Sequence, residues 1–318
     1  ATTHRTLDVR DCAAEITASN RYADSRLENL AGKVTVDARG RVYVESIDGD
    51  VDVRAEYSPI EVRDVRGAVK VASTEGSVLL DGVTRGAVVE SRGGNVTAQK
   101  LAGGLKLSAS HRRVRVEDVQ GDVAINSRYA TLSLTNVQGK VDLTSSSDRI
   151  SAEGVRGALT ARATGSSVRI DAASGPIDVS TTRKDVTVND FASSCKVVNE
   201  YADVSLSSAR TLGGEVSVKN RNGDIEIYLP DAAGFALDAH ARMGRIDTDY
   251  PGLETPERPA DAATLKTKVR AGGPTLVLDT EYGSVRIRSR KGDSLPAEHP
   301  EEPRPRRVGI VHRDRAGR

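Results

Sequence analysis

Five histidines, two cysteines and eight tyrosines carry the widest chemical range in this 318-residue chain. His111 stands closest to a reactive set, with Ser108 and Ser110 before it and Asp118 after it. Those are the residue types of a nucleophile–base–acid relay, but no oxyanion-hole motif accompanies them. His4, His240, His299 and His312 are scattered, and none of the five forms an HxxxH or Cys-paired spacing suited to a metal. Phosphate-cradling GxxxxGK[ST] and dinucleotide GxGxxG patterns in a strand–helix setting are missing. The turns "GGNVTA" and "GGLKLS" lack the aspartate that calcium-binding GGxGxD turns use. The expectation is a non-enzyme with no cofactor, no metal and no catalytic residue.

Tyrosine is placed with more order. Tyr22, Tyr57, Tyr129, Tyr201 and Tyr282 occur as "NRYAD", "AEYSP", "SRYAT", "NEYAD" and "TEYGS". Each follows a recurrent apolar position by six residues, so one corner of the fold should carry five of the eight tyrosines. A ring there either covers a turn or offers a partner-binding edge, since tyrosine joins an apolar body to a polar tip. A second candidate surface is basic: Arg304, Arg306, Arg307, Arg313 and Arg315 lie near the C-terminus and could touch an anionic surface.

The element that positions these residues is a repeat of eighteen. One column reads Val51, Val69, Ala87, Leu105, Val123, Val141, Leu159, Ile177, Cys195. Four more columns begin at Val53, Ile60, Val62 and Val65, and all forty-five positions are apolar. Within a repeat the apolar residues alternate, as in "GDVDV" and "PIEV", which is the period of a strand with one buried face. The predicted fold is all-β: a single-stranded, parallel β-helix-like β-solenoid with two short strands per rung and about fourteen rungs. At ~4.8 Å per step the rod would be roughly 60–65 Å long. Gly49, Gly67, Gly103, Gly121, Gly139, Gly157 and Gly175 open successive rungs, and a positive φ is the expected reason.

The order along the chain is an N-terminal half-rung or cap over 1–13, solenoid over 14–250 and a proline-rich loop over 251–263. A final rung at Leu276, Leu278, Val285 and Ile287 follows within 264–290, then a disordered Arg/Pro-rich tail over 291–318. Cys12 and Cys195 fall on inward columns about ten rungs apart, too far for a disulfide. Aromatics are 3% with no Trp, so Val, Ile, Leu and Ala must fill a thin core. The balance of 46 basic against 45 acidic residues argues against nucleic acid on the rod. The outward series Asp52, Lys70, Val88, Lys106, Ala124, Asp142 carries no one-signed stripe and no threonine ladder. No run reaches the ~18–20 apolar residues of a transmembrane helix. The first residue is Ala1 rather than Met, which reads as a trimmed chain or as a mature form whose leader has gone.

"GDIEIYLPDAAGFALDAHARMGRIDTD", residues 223–249, and "GGPTLVLDTEYGSVRIRS", residues 272–289, resemble the closing segments of the bacterial toast-rack adhesin domain family. With the Gly-x-Val-x-Val rungs, the resemblance spans roughly residues 14–289, and the tail has no counterpart in it. It implies a β-solenoid of the cell envelope, near membrane-stress or signalling components, with no accepted catalytic residues to carry over. The expected function is therefore a non-enzymatic scaffold or adhesin-like interaction protein, periplasmic, envelope-bound or extracellular, with a protein or envelope partner. The alternative is a cytoplasmic scaffold that polymerises end to end, resembling the bactofilin filament formers, in which case homo-oligomers form. A polysaccharide-active β-helix enzyme is disfavoured, because rungs held near eighteen residues leave no long loops to wall a cleft.

Overall fold

The computed structural model describes residues 5–146, 148–256 and 262–290, and every described element is a strand. Parallel pairing at a step of eighteen runs Leu105↔Val123↔Val141↔Leu159 on one face and Val114↔Leu132↔Ile150↔Val168 on the other. The chain is a β-solenoid. The first full turn is Ile16–Asn20 with Ser25–Ala31, and the twelfth is Val216–Asn222 with Ile225–Pro230. Leu7–Cys12 lies on Ser25–Ala31 as the N-terminal half-turn. Gly104–Val119 and Val123–Val137 each run through a whole turn as one bent strand.

The five apolar columns point inward, and their members are buried with one exception. Ala209 is exposed, and Leu212, in the longer connection after it, is buried. A one-residue slip would turn whole columns outward, so burial fixes the register. A sixth inward column escapes the apolar pattern because it is small or polar. It includes Asn20, Ser73, Ser91, Ser127, Ser145, Thr181, Asn199, Asn220 and Thr280, all buried. These side chains hold the adjoining turn. Ser73 donates to the Gly76 carbonyl at 2.9 Å, Asn199 and Asn220 to that of Ala202 at 3.0 and 2.8 Å, and Thr280 to that of Gly223 at 3.1 Å. Turn carbonyls that a buried bend would leave unpaired are satisfied this way.

The rung-opening glycines are there for a different reason from the expected positive φ. None of the seven adopts the left-handed region; instead a Cβ on each would stand 2.1–2.5 Å from the backbone of the preceding turn. Gly139 over Gly121 and Gly157 over Gly139 are typical, at 2.4 and 2.3 Å. At these seven positions backbone stacks on backbone with no room for a side chain; Arg85, which holds the same step between Gly67 and Gly103, is followed by Gly86 at φ of 119°. Left-handed backbone occurs at two other corners. One holds Asp64, Gly82, Lys100, Asp118, Asn136, Gly154, Ala172 and Asp190, mostly residues that tolerate this region. The other is the tyrosine corner.

Sequence order and stacking order part company at the C-terminal end. Thr275–Tyr282 and Val285–Arg290 pair with turn 12 on one side and with Phe235–Ala241 and Ile246–Thr248 on the other. The rung expected to be last is thus layer 13, slotted beneath layer 14, which precedes it in sequence. Ala263–Val269, expected within that rung, is a separate strand running antiparallel along Phe235–Ala241. The chain then crosses back at Gly234, where Cβ atoms on Gly234 or Gly273 would lie 2.5 and 2.4 Å from the carbonyls of Gly272 and Gly234. Tyr250 pins the crossing: its hydroxyl shares its one proton between the carbonyls of Pro230 at 2.7 Å and Ala233 at 2.9 Å, and its ring meets Phe235 edge-on.

Candidate interaction site

All five tyrosines of the repeated corner are exposed, from 43% for Tyr201 to 72% for Tyr57. Their rings do not cover the turn; the buried polar column beneath does that work. The register puts Tyr201, Asn222 and Tyr282 on successive layers, and Met243, 67% exposed, takes the same corner in layer 14. Six of the seven large hydrophobic residues exposed among the described residues therefore share one edge, Val88 being the seventh. Met243 follows inward Leu237 by six residues, so the tyrosine spacing also pointed to it.

The backbone at this edge is strained. Tyr57, Glu75, His111, Tyr129 and Arg183 have φ of 61°, 59°, 57°, 56° and 66°. For an L-residue this region costs about 1–2 kcal/mol, and a bulky side chain there is unusual. Gly93 and Gly165 occupy the corner in other layers at φ of 86° and 68°. In these layers the turn takes the left-handed bend, and glycine would satisfy it more cheaply than tyrosine; Tyr22, Tyr201 and Tyr282 hold the same corner without it. His111 stacks on Tyr129 at 5.4 Å between ring centroids. It makes no hydrogen bond to Ser108, Ser110 or Asp118, and Asp118 lies at the other corner, accepting from Asn136 at 3.1 Å.

Beside the edge, at the C-terminal end, lies an open cleft of about 630 Å³ lined by Glu200, Lys219, Arg221, His240, Thr264 and Glu281, among others. Arg221 and Arg242 pair with Glu281 at 3.5 and 3.3 Å. His240 sits between Asp238, 2.7 Å from Nε2, and the Thr264 hydroxyl, 3.3 Å from Nδ1. The order acid–imidazole–hydroxyl is that of a hydrolytic relay. Here it is solvent-exposed and lies across the antiparallel register pair of His240 with Thr264. Lys266 also binds Asp238 at 3.0 Å, and this hydrogen bond leads the lowering of the Asp238 carboxyl below its ordinary range.

Cys12 is half-buried and Cys195 buried, and both are free thiols, as their separation requires. Burial pushes the Cys195 thiol up to about 12. Among the described residues no group of three or more His, Cys, Asp or Glu is placed to hold a metal, and no helix is long and apolar enough to cross a membrane. His4, His299, His312, Arg304, Arg306, Arg307, Arg313 and Arg315 lie outside the described residues. Comparison of the chain with protein-family models, curated proteins and solved structures finds no match in any of the three.

Proposed function

We propose that this chain is a non-enzymatic β-solenoid scaffold of the bacterial cell envelope that engages a protein or envelope partner along its tyrosine edge. The observation that carries the reading is Tyr57 and Tyr129 held in left-handed backbone at φ of 61° and 56° while 72% and 57% exposed. Such residues add strain to the fold and bury little, which is the signature of retention for contact. Aligned exposed aromatics on a rigid frame are efficient binding anchors, because few rotamers are lost. The envelope assignment rests on the resemblance of residues 223–249 and 272–289 to the toast-rack adhesin domains.

Against the end-to-end polymer, the outer edge of Phe235–Ala241 is covered by antiparallel Ala263–Val269, which turns Lys266 and Lys268 to solvent. Lysines on an edge strand oppose further pairing. Against an enzyme, the acid–imidazole–hydroxyl set at His240 lacks a water-excluding wall. The test is protease accessibility of the chain in intact cells and spheroplasts, repeated with Tyr57→Asn, Tyr129→Asn and Tyr201→Asn combined. The scaffold reading expects an envelope-associated chain released by the triple variant. A protease-protected chain that stays with the cytosol in both preparations overturns it.

A further inference from the structure

The layers that carry tyrosine are arranged symmetrically. In stacking order Tyr22 is on layer 1, Tyr57 on 3, Tyr129 on 7, Tyr201 on 11 and Tyr282 on 13. Reflected about layer 7, layer 1 maps to 13 and layer 3 to 11. The symmetry exists only because layer 13 is slotted beneath layer 14. Stacked in sequence order, Tyr282 would fall on layer 14 and have no counterpart.

The residues between follow the same rule. Gly93 on layer 5 maps to Gly165 on layer 9, and Glu75 on layer 4 maps to Arg183 on layer 10. One residue before the corner, Arg21 maps to Glu281; one residue after it, Arg112 maps to Asp148. Glu56 maps to Glu200, but Arg39 lies 3.3 Å from Glu56, and Arg221 occupies the layer beside Glu200.

In the corner column the tyrosines map onto tyrosines, Gly93 onto Gly165 and Glu75 onto Arg183, while in the flanking column Arg128 maps onto itself and Arg39 onto Arg221; the corner column is thus self-complementary about a twofold axis, the defining property of an isologous interface. We infer that the tyrosine edge is a homodimer interface, in which two rods lie side by side and antiparallel with the dyad at Tyr129. Tyr129 then meets Tyr129 of the second copy, flanked by both His111 rings. Tyr57 meets Tyr201, Tyr22 meets Tyr282, and Glu75 meets Arg183. The proposal deepens the reading of this edge as a binding surface and rests on it.

The area is adequate. With about 200 Å² for a whole tyrosine, exposures of 61, 72, 57, 43 and 48% leave roughly 550 Å² per chain. Two chains then bury about 1,100 Å² from tyrosine alone, and flanking residues bring this into the range of ~1,200–2,000 Å² for specific interfaces.

The test is disulfide mapping in a Cys12→Ser background, Cys195 being buried, alongside sedimentation of the parent chain. Tyr129→Cys should cross-link to itself. Tyr57→Cys and Tyr201→Cys should cross-link when mixed and neither alone, and Tyr129→Asn should weaken the dimer at least tenfold without moving the melting curve by more than a few degrees. A chain monomeric at every concentration, or Tyr57→Cys linking to itself, overturns the dimer. If the chain is monomeric but the triple asparagine variant still leaves the envelope, the edge binds another partner and only the self-association fails. If the triple variant changes neither property, the edge reading fails too.

Discussion

Gly139→Ala is a change of one methyl group with a large expected effect. The added Cβ would stand 2.4 Å from both the carbonyl carbon and oxygen of Gly121 and 2.7 Å from the Asp122 nitrogen. Ordinary contact begins near 3.4 Å, so the overlap is about one ångström. Its partners are backbone atoms, held in register by the pairing of Val123–Val137 with the turns on either side. Such overpacking costs typically about 1–3 kcal/mol. Loss of unfolded-state freedom returns about 0.4–1 kcal/mol. A net loss of about 1–2 kcal/mol is expected, read from the urea midpoint by far-ultraviolet circular dichroism. The paired control is Gly154→Asn. Gly154 has φ of 69°, its nearest neighbour is the movable Asn136 side chain at 2.9 Å, and its column already holds Asn136 at φ of 56°. Asparagine there should cost less than about 0.5 kcal/mol. If Gly139→Asn is no worse than Gly154→Asn, conformation rather than contact selects the rung-opening glycines, and the reasoning fails.

The buried thiol has a pH consequence: an unfolded Cys195 loses its proton near pH 9 and the folded one only near 12, so the unfolded state binds fewer protons in between. Stability should therefore fall with rising pH across that window, by about 1.4 kcal/mol per unit from this group, and Cys195→Ala should flatten the curve relative to the parent; parallel curves would contradict this. At pH 8 the native Cys195 should resist alkylation that reaches Cys12. Thr280→Val removes the bond to the Gly223 carbonyl and should cost about 1–2 kcal/mol; an unchanged melting temperature would mean the buried polar column does not hold the corner. Tyr57→Asn should change stability by less than about 1 kcal/mol, since relief of left-handed strain offsets the little area lost. Leu132→Ala, fully buried, should cost about 2–5 kcal/mol; a Tyr57→Asn loss of that size would make the tyrosine structural.

The rod was legible because each turn must bury the same face on its neighbours, so the inward columns recur at eighteen from Val51 to Cys195. The sixth column was hidden because Ser, Thr and Asn carry no hydrophobic signal, although position and burial match the apolar five. Stacking order was illegible at the end, because 235–248 and 275–290 share one alternating pattern and either could seat on Val216–Asn222. Only the antiparallel strand Ala263–Val269, half exposed and marked by little more than Ala263 and Val269, decides between them. Glycine at Gly139 told of a need for smallness, not whether φ or a neighbour imposed it. The tyrosine spacing was legible; whether the rings lay over the turn or in solvent depended on what filled the corner beneath.

Small-angle scattering over a concentration series tests the central claim most directly. The fourteen full layers give a rod of roughly 65 Å at ~4.8 Å per step. Antiparallel pairing along the tyrosine edge predicts that mass and cross-sectional radius rise together with concentration while the long dimension stays near that value. A long dimension that grows with concentration would instead establish end-to-end assembly and contradict the account.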